Sequence, residues 1–137
     1  MDEKIQSEAQ VNKKKILLID DEEDFCFFVK MNLEKSGNFE VLTTTSGSNG
    51  IFIAVKEQPD LILLDIIMPD ISGGQVAEQL LDNPKTKEIP LLFITAIASR
   101  RDVQAKEEPI GGRQFIAKPV TPEELMDKLY RVFEINR

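Results

Sequence analysis

Four apolar runs in this chain each end in a reactive polar side chain. Lys15-Ile16-Leu17-Leu18-Ile19 leads into Asp20-Asp21, Asp60-Leu61-Ile62-Leu63-Leu64 into Asp65, Pro90-Leu91-Leu92-Phe93-Ile94 into Thr95, and Gln114-Phe115-Ile116-Ala117 into Lys118. Short continuous apolar runs bounded by turn residues read as strands buried on both faces, the pattern of a parallel sheet. Open parallel sheets gather their ligands beyond the carboxyl ends of their strands. Three carboxylates, one hydroxyl and one ammonium are therefore expected to meet at one edge.

The segments between these runs supply the helices. Glu22 to Ser36 carries Phe25, Phe28, Val29 and Leu33 at helical spacing, with Gly37 as the stop. Phe39 to Thr45 is rich in β-branched and aromatic residues and reads as a further strand, followed by a helix from about Ser48 to Glu57 before Gln58-Pro59. A turn-rich loop, Met68 to Gly74, precedes a helix to Leu81. A short polar helix is expected from Ser99 to Glu108, broken by Pro109 and Gly111-Gly112. The last helix is the best marked: Thr121 as N-cap, Pro122 at the first position and Glu124 completing a capping box before Leu125, Leu129, Val132 and Phe133.

Five βα units imply a single α/β domain, a parallel five-stranded sheet covered by helices on both faces. The expected arrangement is flavodoxin-like and doubly wound, (βα)5, with strand order 2-1-3-4-5. In that order strands one and three are neighbours at the switch point, so Asp20, Asp21 and Asp65 share one crevice. The 137 residues suit one such domain, from 14 to 137, preceded by a polar tail over residues 1–13.

Composition narrows the function. With 24 acidic against 17 basic residues, the net charge of -7 argues against direct binding to nucleic acid or anionic lipid. No apolar stretch approaches the ~20 residues of a membrane span and the start shows no signal-peptide pattern, so a cytoplasmic location is expected. The single cysteine, Cys26, lies in an apolar stretch and reads as a small core residue. The chain has no histidine, which excludes histidine-dependent catalysis and phosphohistidine formation within it.

Two like charges ~4 Å apart repel by about 4 kcal/mol at an effective dielectric near 20, so a cluster of three carboxylates calls for a cation. Ligands limited to oxygen favour a hard ion such as Mg²⁺, which commonly bridges carboxylates and a phosphoryl oxygen. A carboxylate can attack phosphorus to give an acyl phosphate, and Asp65 is the best candidate: it stands alone at a strand end before a Pro and Gly turn expected to leave it accessible. Asp20 and Asp21 are better suited to hold metal, while Lys118 and Thr95 can each bind a phosphoryl oxygen. Taken singly, each has an ordinary explanation: the aspartates as caps, Thr95 as a strand end, Lys118 as a solvated lysine before a turn. Five such side chains at four strand ends are much harder to explain that way.

These residues resemble the receiver domain of two-component response regulators, over about Lys14 to Arg137. The resemblance rests on Asp20-Asp21-Glu22, the stretch from Asp65 through Met68-Pro69 to Gly73, Thr95-Ala96, and Phe115-Ile116-Ala117-Lys118-Pro119. It implies Asp65 as phosphoacceptor, Asp20 and Asp21 as metal-binding acids, the backbone carbonyl of Ile67 as a further ligand to Mg²⁺, and Thr95 and Lys118 as switch and phosphoryl-binding residues. It further implies that Phe115 turns inward as Thr95 is drawn toward the phosphoryl group. Phenylalanine has no hydroxyl to satisfy outside, so its inward state is expected to cost less than that of the tyrosine often found there. Phe115 also suits an ordinary core position.

The implied donor is a histidine kinase or a histidine phosphotransfer protein, and output is expected through contact with a downstream protein target, since the chain ends soon after the last helix. Ile67 and Ile97, each two residues past Asp65 and Thr95, are apolar where related domains often carry polar side chains, which points to slow self-dephosphorylation. A haloacid-dehalogenase-like phosphatase is the enzymatic alternative, but that class needs an acid where Ile67 stands. A flavin-binding flavodoxin lacks support because no Ser/Thr/Gly-rich loop follows the first strand.

Overall fold

All four marked runs, and the β-branched segment after the first helix, form strands. In the structure, a computed structural model that describes residues 13–96 and 115–134, β1 (Lys14–Ile19), β2 (Phe39–Thr44), β3 (Leu61–Asp65), β4 (Leu91–Thr95) and β5 (Phe115–Ala117) make one sheet. Every pairing is parallel and the order is β2-β1-β3-β4-β5, as the alternation of elements predicts. The expected helix at Ser99–Glu108, Ile97 and the tail to residue 12 lie outside the described residues.

Side-chain alternation along the strands splits the core in two. Ile16, Leu18, Leu63 and Ile94 pack with Val29 and Leu33 of α1 (Glu23–Lys35) and with Leu125 and Leu129 of α4 (Pro122–Phe133). Leu17, Ile19, Leu64 and Phe93 pack on the other face, against Ala54 of α2 (Gly47–Glu57) and Val76, Ala77 and Leu80 of α3 (Gly73–Asp82). Each large apolar side chain, fully buried, contributes about 1.5–3 kcal/mol, which explains the unbroken apolar stretches 16–19, 61–64 and 91–94 in the inner strands. No described helix is long and apolar enough to cross a membrane.

Two helix faces differ in detail from the periodic reading. Cys26, not its aromatic neighbours, takes the fully enclosed position on α1 with Val29 and Leu33, while Phe25 and Phe28 are half-buried and stack on each other with centroids 5.9 Å apart. On α4 Val132 faces solvent and Phe133 packs against Phe39, 6.2 Å between centroids. A helix of twelve residues meets a twisted sheet over only part of its length, so the last turn presents one apolar residue rather than two.

The helix starts are set by caps. Thr121 Oγ1 accepts from Glu124 N at 3.1 Å and Glu124 Oε1 from Thr121 N at 2.9 Å, the expected capping box. Ser72 and Gln75 form a second box that starts α3 one residue earlier than expected. Gly37, at φ +86°, closes α1 in the left-handed region that glycine alone enters freely.

Candidate functional site

Register brings the strand-end residues together. Ile19 pairs with Leu64, so Asp20 and Asp65 leave neighbouring strands side by side. Asp65 pairs with Ile94 and Thr95 with Ala117, which sets Thr95 and Lys118 one residue further along. One carboxylate oxygen from each of Asp20, Asp21 and Asp65 lies within 4.8 Å of the other two. Asp20 and Asp65 are buried and Asp21 is exposed, so the cluster opens toward solvent on the Asp21 side.

Asp65 is less accessible than its Pro and Gly turn suggests, with 4% of the residue exposed. The turn folds back onto it. Gly73 N donates to Ile66 O at 2.8 Å, and a Cβ on Gly73 would strike the Asp65 carbonyl oxygen and Ile66 Cα. Glycine is therefore required there by close approach of two backbones. Ile67 N donates to Asp65 Oδ1 at 3.2 Å, while the Ile67 residue is 65% exposed.

Burial, then the charge on Asp20, pushes the Asp65 carboxyl up to about 7. Burial also raises Asp20, against the opposing pull of Lys118 and of Glu22 N, which donates to Asp20 Oδ1 at 2.9 Å. A pocket that resists ionisation of its own carboxylates is one that a cation would relieve.

Lys118 lies against this cluster with only 9% of its side chain exposed. Its Nζ stands 2.8 Å from Asp20 Oδ2, in an ion pair that lacks the alignment of a hydrogen bond. It donates a hydrogen bond to Glu22 Oε1 and sits 4.3 Å from the centroid of the Phe25 ring. Burial pulls its proton affinity down, but the Asp20 and Glu22 carboxylates outweigh that and hold it above the ordinary lysine value. It stays an ammonium.

Thr95 is fully buried, and its Oγ1 has no hydrogen-bond partner among the described residues. Alternation puts it on the sheet face of Phe93, where Phe115 from β5 stacks at 5.7 Å and 28°. Phe115 is half-buried there, packed against the α2 and α3 side of the core.

Three contacts have no counterpart in the sequence reading. Glu22 and Phe25, from the start of α1, hold Lys118; Phe25 reads as core, and nothing in its spacing points to a cation. Asp70, in the loop after Asp65, accepts from Ser46 Oγ at 3.2 Å, Gly47 N at 3.2 Å and Ser48 N at 3.3 Å, tying that loop to the start of α2. Desolvation opposes ionisation of Asp70, but these donors prevail and lower its pKa. Its sequence signal is only an aspartate after a proline.

The sheet order and the acidic cluster define a flavodoxin-like α/β domain with a pocket able to bind a metal at the crevice between β1 and β3. Residues 16–130 match the response regulator receiver domain, and the chain belongs to that family, the phosphorylated signalling modules of two-component systems. It is 34% identical over 119 residues to Protein PilH of Pseudomonas aeruginosa, covering 86% of this chain and 96% of that one. It is 36% identical over 112 residues to the alkaline phosphatase synthesis transcriptional regulatory protein PhoP of Bacillus subtilis, 82% of this chain but 45% of that protein. The chain thus spans nearly the whole of one relative and under half of the other. Among solved structures, the chemotaxis protein CheY4 of Vibrio cholerae superposes with a TM-score of 0.76 at 28% identity, over 88% of this chain and 98% of that one.

Proposed function

We propose that Asp65 accepts a phosphoryl group from a histidine of a partner histidine kinase or histidine phosphotransfer protein, and that the acyl phosphate switches a surface read by a downstream protein. The observation that carries this reading is the meeting of three carboxylates within 4.8 Å at the ends of adjacent strands, with Lys118 pressed against them. An Asp65 oxygen attacks phosphorus, the bond from phosphorus to the imidazole nitrogen breaks, and the imidazole leaves with the partner. Lys118 places its ammonium on one phosphoryl oxygen and Thr95 donates its free hydroxyl to another.

The pocket suits Mg²⁺, because its donors are oxygen only and its buried carboxylates resist carrying charge unaided. Asp20, Asp21, Asp65 and the Ile67 carbonyl would hold the ion, which would supply positive charge to balance that on the phosphoryl group. Thr95 and Phe115 share one sheet face, consistent with coupled movement of hydroxyl and ring. The domain runs from residue 14 to 137 after a polar tail, works in the cytoplasm, and acts on no substrate beyond its own phosphorylation and slow dephosphorylation. Apolar Ile67 at the mouth of the pocket supports that slow decay, and Ile67→Asn should shorten the phosphorylated lifetime; Ile97 lies outside the described residues.

The test is intact-mass measurement after incubation with acetyl phosphate and Mg²⁺. The native chain should gain one phosphate and Asp65→Asn none. A folded native chain that never gains mass would refute the assignment.

A further inference from the structure

The contacts of Lys118 point beyond its role as a phosphoryl ligand. Its ammonium is already engaged on three sides: by the Asp20 carboxylate at 2.8 Å, by Glu22 Oε1, and by the Phe25 ring at 4.3 Å. Asp20 belongs to the acidic pocket. Glu22 is the N-cap residue of α1 and Phe25 lies in its first turn. Glu22 is largely exposed and, as N-cap residue of α1, makes no side-chain capping bond, so helix capping does not account for its orientation. Its side chain is turned instead to Lys118.

We propose that Glu22 is a positioning residue that parks the Lys118 ammonium away from the phosphoryl position and so restrains phosphorylation of Asp65. This rests on the reading of Asp65 as acceptor. Among the described residues Lys118 is ion-paired to Asp20 and Glu22 and not to Asp65, so to reach a phosphoryl oxygen on Asp65 the ammonium must move off Glu22. Phe25 supports the parked position through the attraction of a cation to the ring face. A carboxylate as exposed as Glu22 has the strength of a surface ion pair, so releasing it should speed transfer by about two- to fivefold, not by orders of magnitude.

Glu22→Gln removes the ion pair but also one negative charge near an anionic donor. Glu23→Gln makes the same change in net charge one residue away, at an exposed side chain with no ion pair to Lys118. Labelling by acetyl phosphate with Mg²⁺ is followed by intact mass across donor concentrations, giving a limiting rate and a half-saturating concentration for each protein. Restraint by Glu22 predicts a limiting rate about two- to fivefold higher in Glu22→Gln and unchanged in Glu23→Gln, with both variants sharing any fall in half-saturating concentration. Urea unfolding checks that both variants are folded. Equal limiting rates in Glu22→Gln and the native chain, or equal gains in both variants, would overturn the proposal while leaving Asp65 as acceptor. Absence of labelling in all three would overturn both.

Discussion

Replacing Asp65 with asparagine should make the metal-free domain more stable at neutral pH, although it removes the proposed acceptor. The Asp65 carboxyl is raised from 3.8 to about 7, by burial and then by Asp20. At about 1.4 kcal/mol for each tenfold change in proton affinity, holding this group ionised in the fold costs on the order of 4 kcal/mol. The sign follows from proton counts. Between 3.8 and about 7 the folded chain binds more protons at this site than the unfolded chain, so stability is full below 3.8 and is lost as pH rises through 7.

Between pH 5 and pH 8 the native chain should therefore lose about 3 kcal/mol more stability than Asp65→Asn. At pH 8 the variant should be the more stable by about 2 kcal/mol, since the new amide has donors to satisfy in a pocket rich in acceptors and recovers only part of the cost. The measurement is urea unfolding with a chelator present, at several pH values, for both proteins. Asp20 is present in both proteins, and its interaction with Asp65 is part of the difference measured. With Mg²⁺ at about a hundredfold its dissociation constant, the native chain at pH 8 should regain about 2.7 kcal/mol. Parallel pH profiles without metal, or a native chain that grows more stable than the variant as pH rises, would refute the electrostatic reasoning.

Lys118→Ala leaves Asp20 as a buried charge beside Asp65 and should cost about 3 kcal/mol in metal-free urea unfolding, with Mg²⁺ restoring much of it. Thr95→Val removes a buried hydroxyl with no partner among the described residues; it should stabilise the fold by about 1 kcal/mol while slowing labelling of Asp65 by acetyl phosphate. Gly73→Ala forces a Cβ against the Asp65 carbonyl oxygen and should destabilise by about 1–3 kcal/mol, seen as a lower urea midpoint together with slower labelling.

How far the chain could be read without coordinates depended on whether a contact lies along a strand or across a helix. Asp20, Asp65, Thr95 and Lys118 were legible because a buried strand cannot carry a polar residue until it ends, so each apolar run marks where its side chain emerges. Parallel order 2-1-3-4-5 then brings those ends to one edge with no further information. The accessibility of Asp65 was not legible, because it depends on a backbone packing against a backbone at Gly73, which leaves no trace in hydrophobic period. Nor was the partner of Lys118. Glu22 sits in a run of five acids, Asp20 to Asp24, that looks locally like one solvated patch. Yet the chain turns from strand to helix within that run, so Asp20 is buried at the sheet edge, Asp21 and Glu22 are exposed beside it, and Glu23 and Asp24 start α1. Five like residues thereby acquire different duties from two residues' worth of backbone direction. Charge identity is local and readable, whereas which charge meets Lys118 follows from the angle at which α1 leaves the sheet.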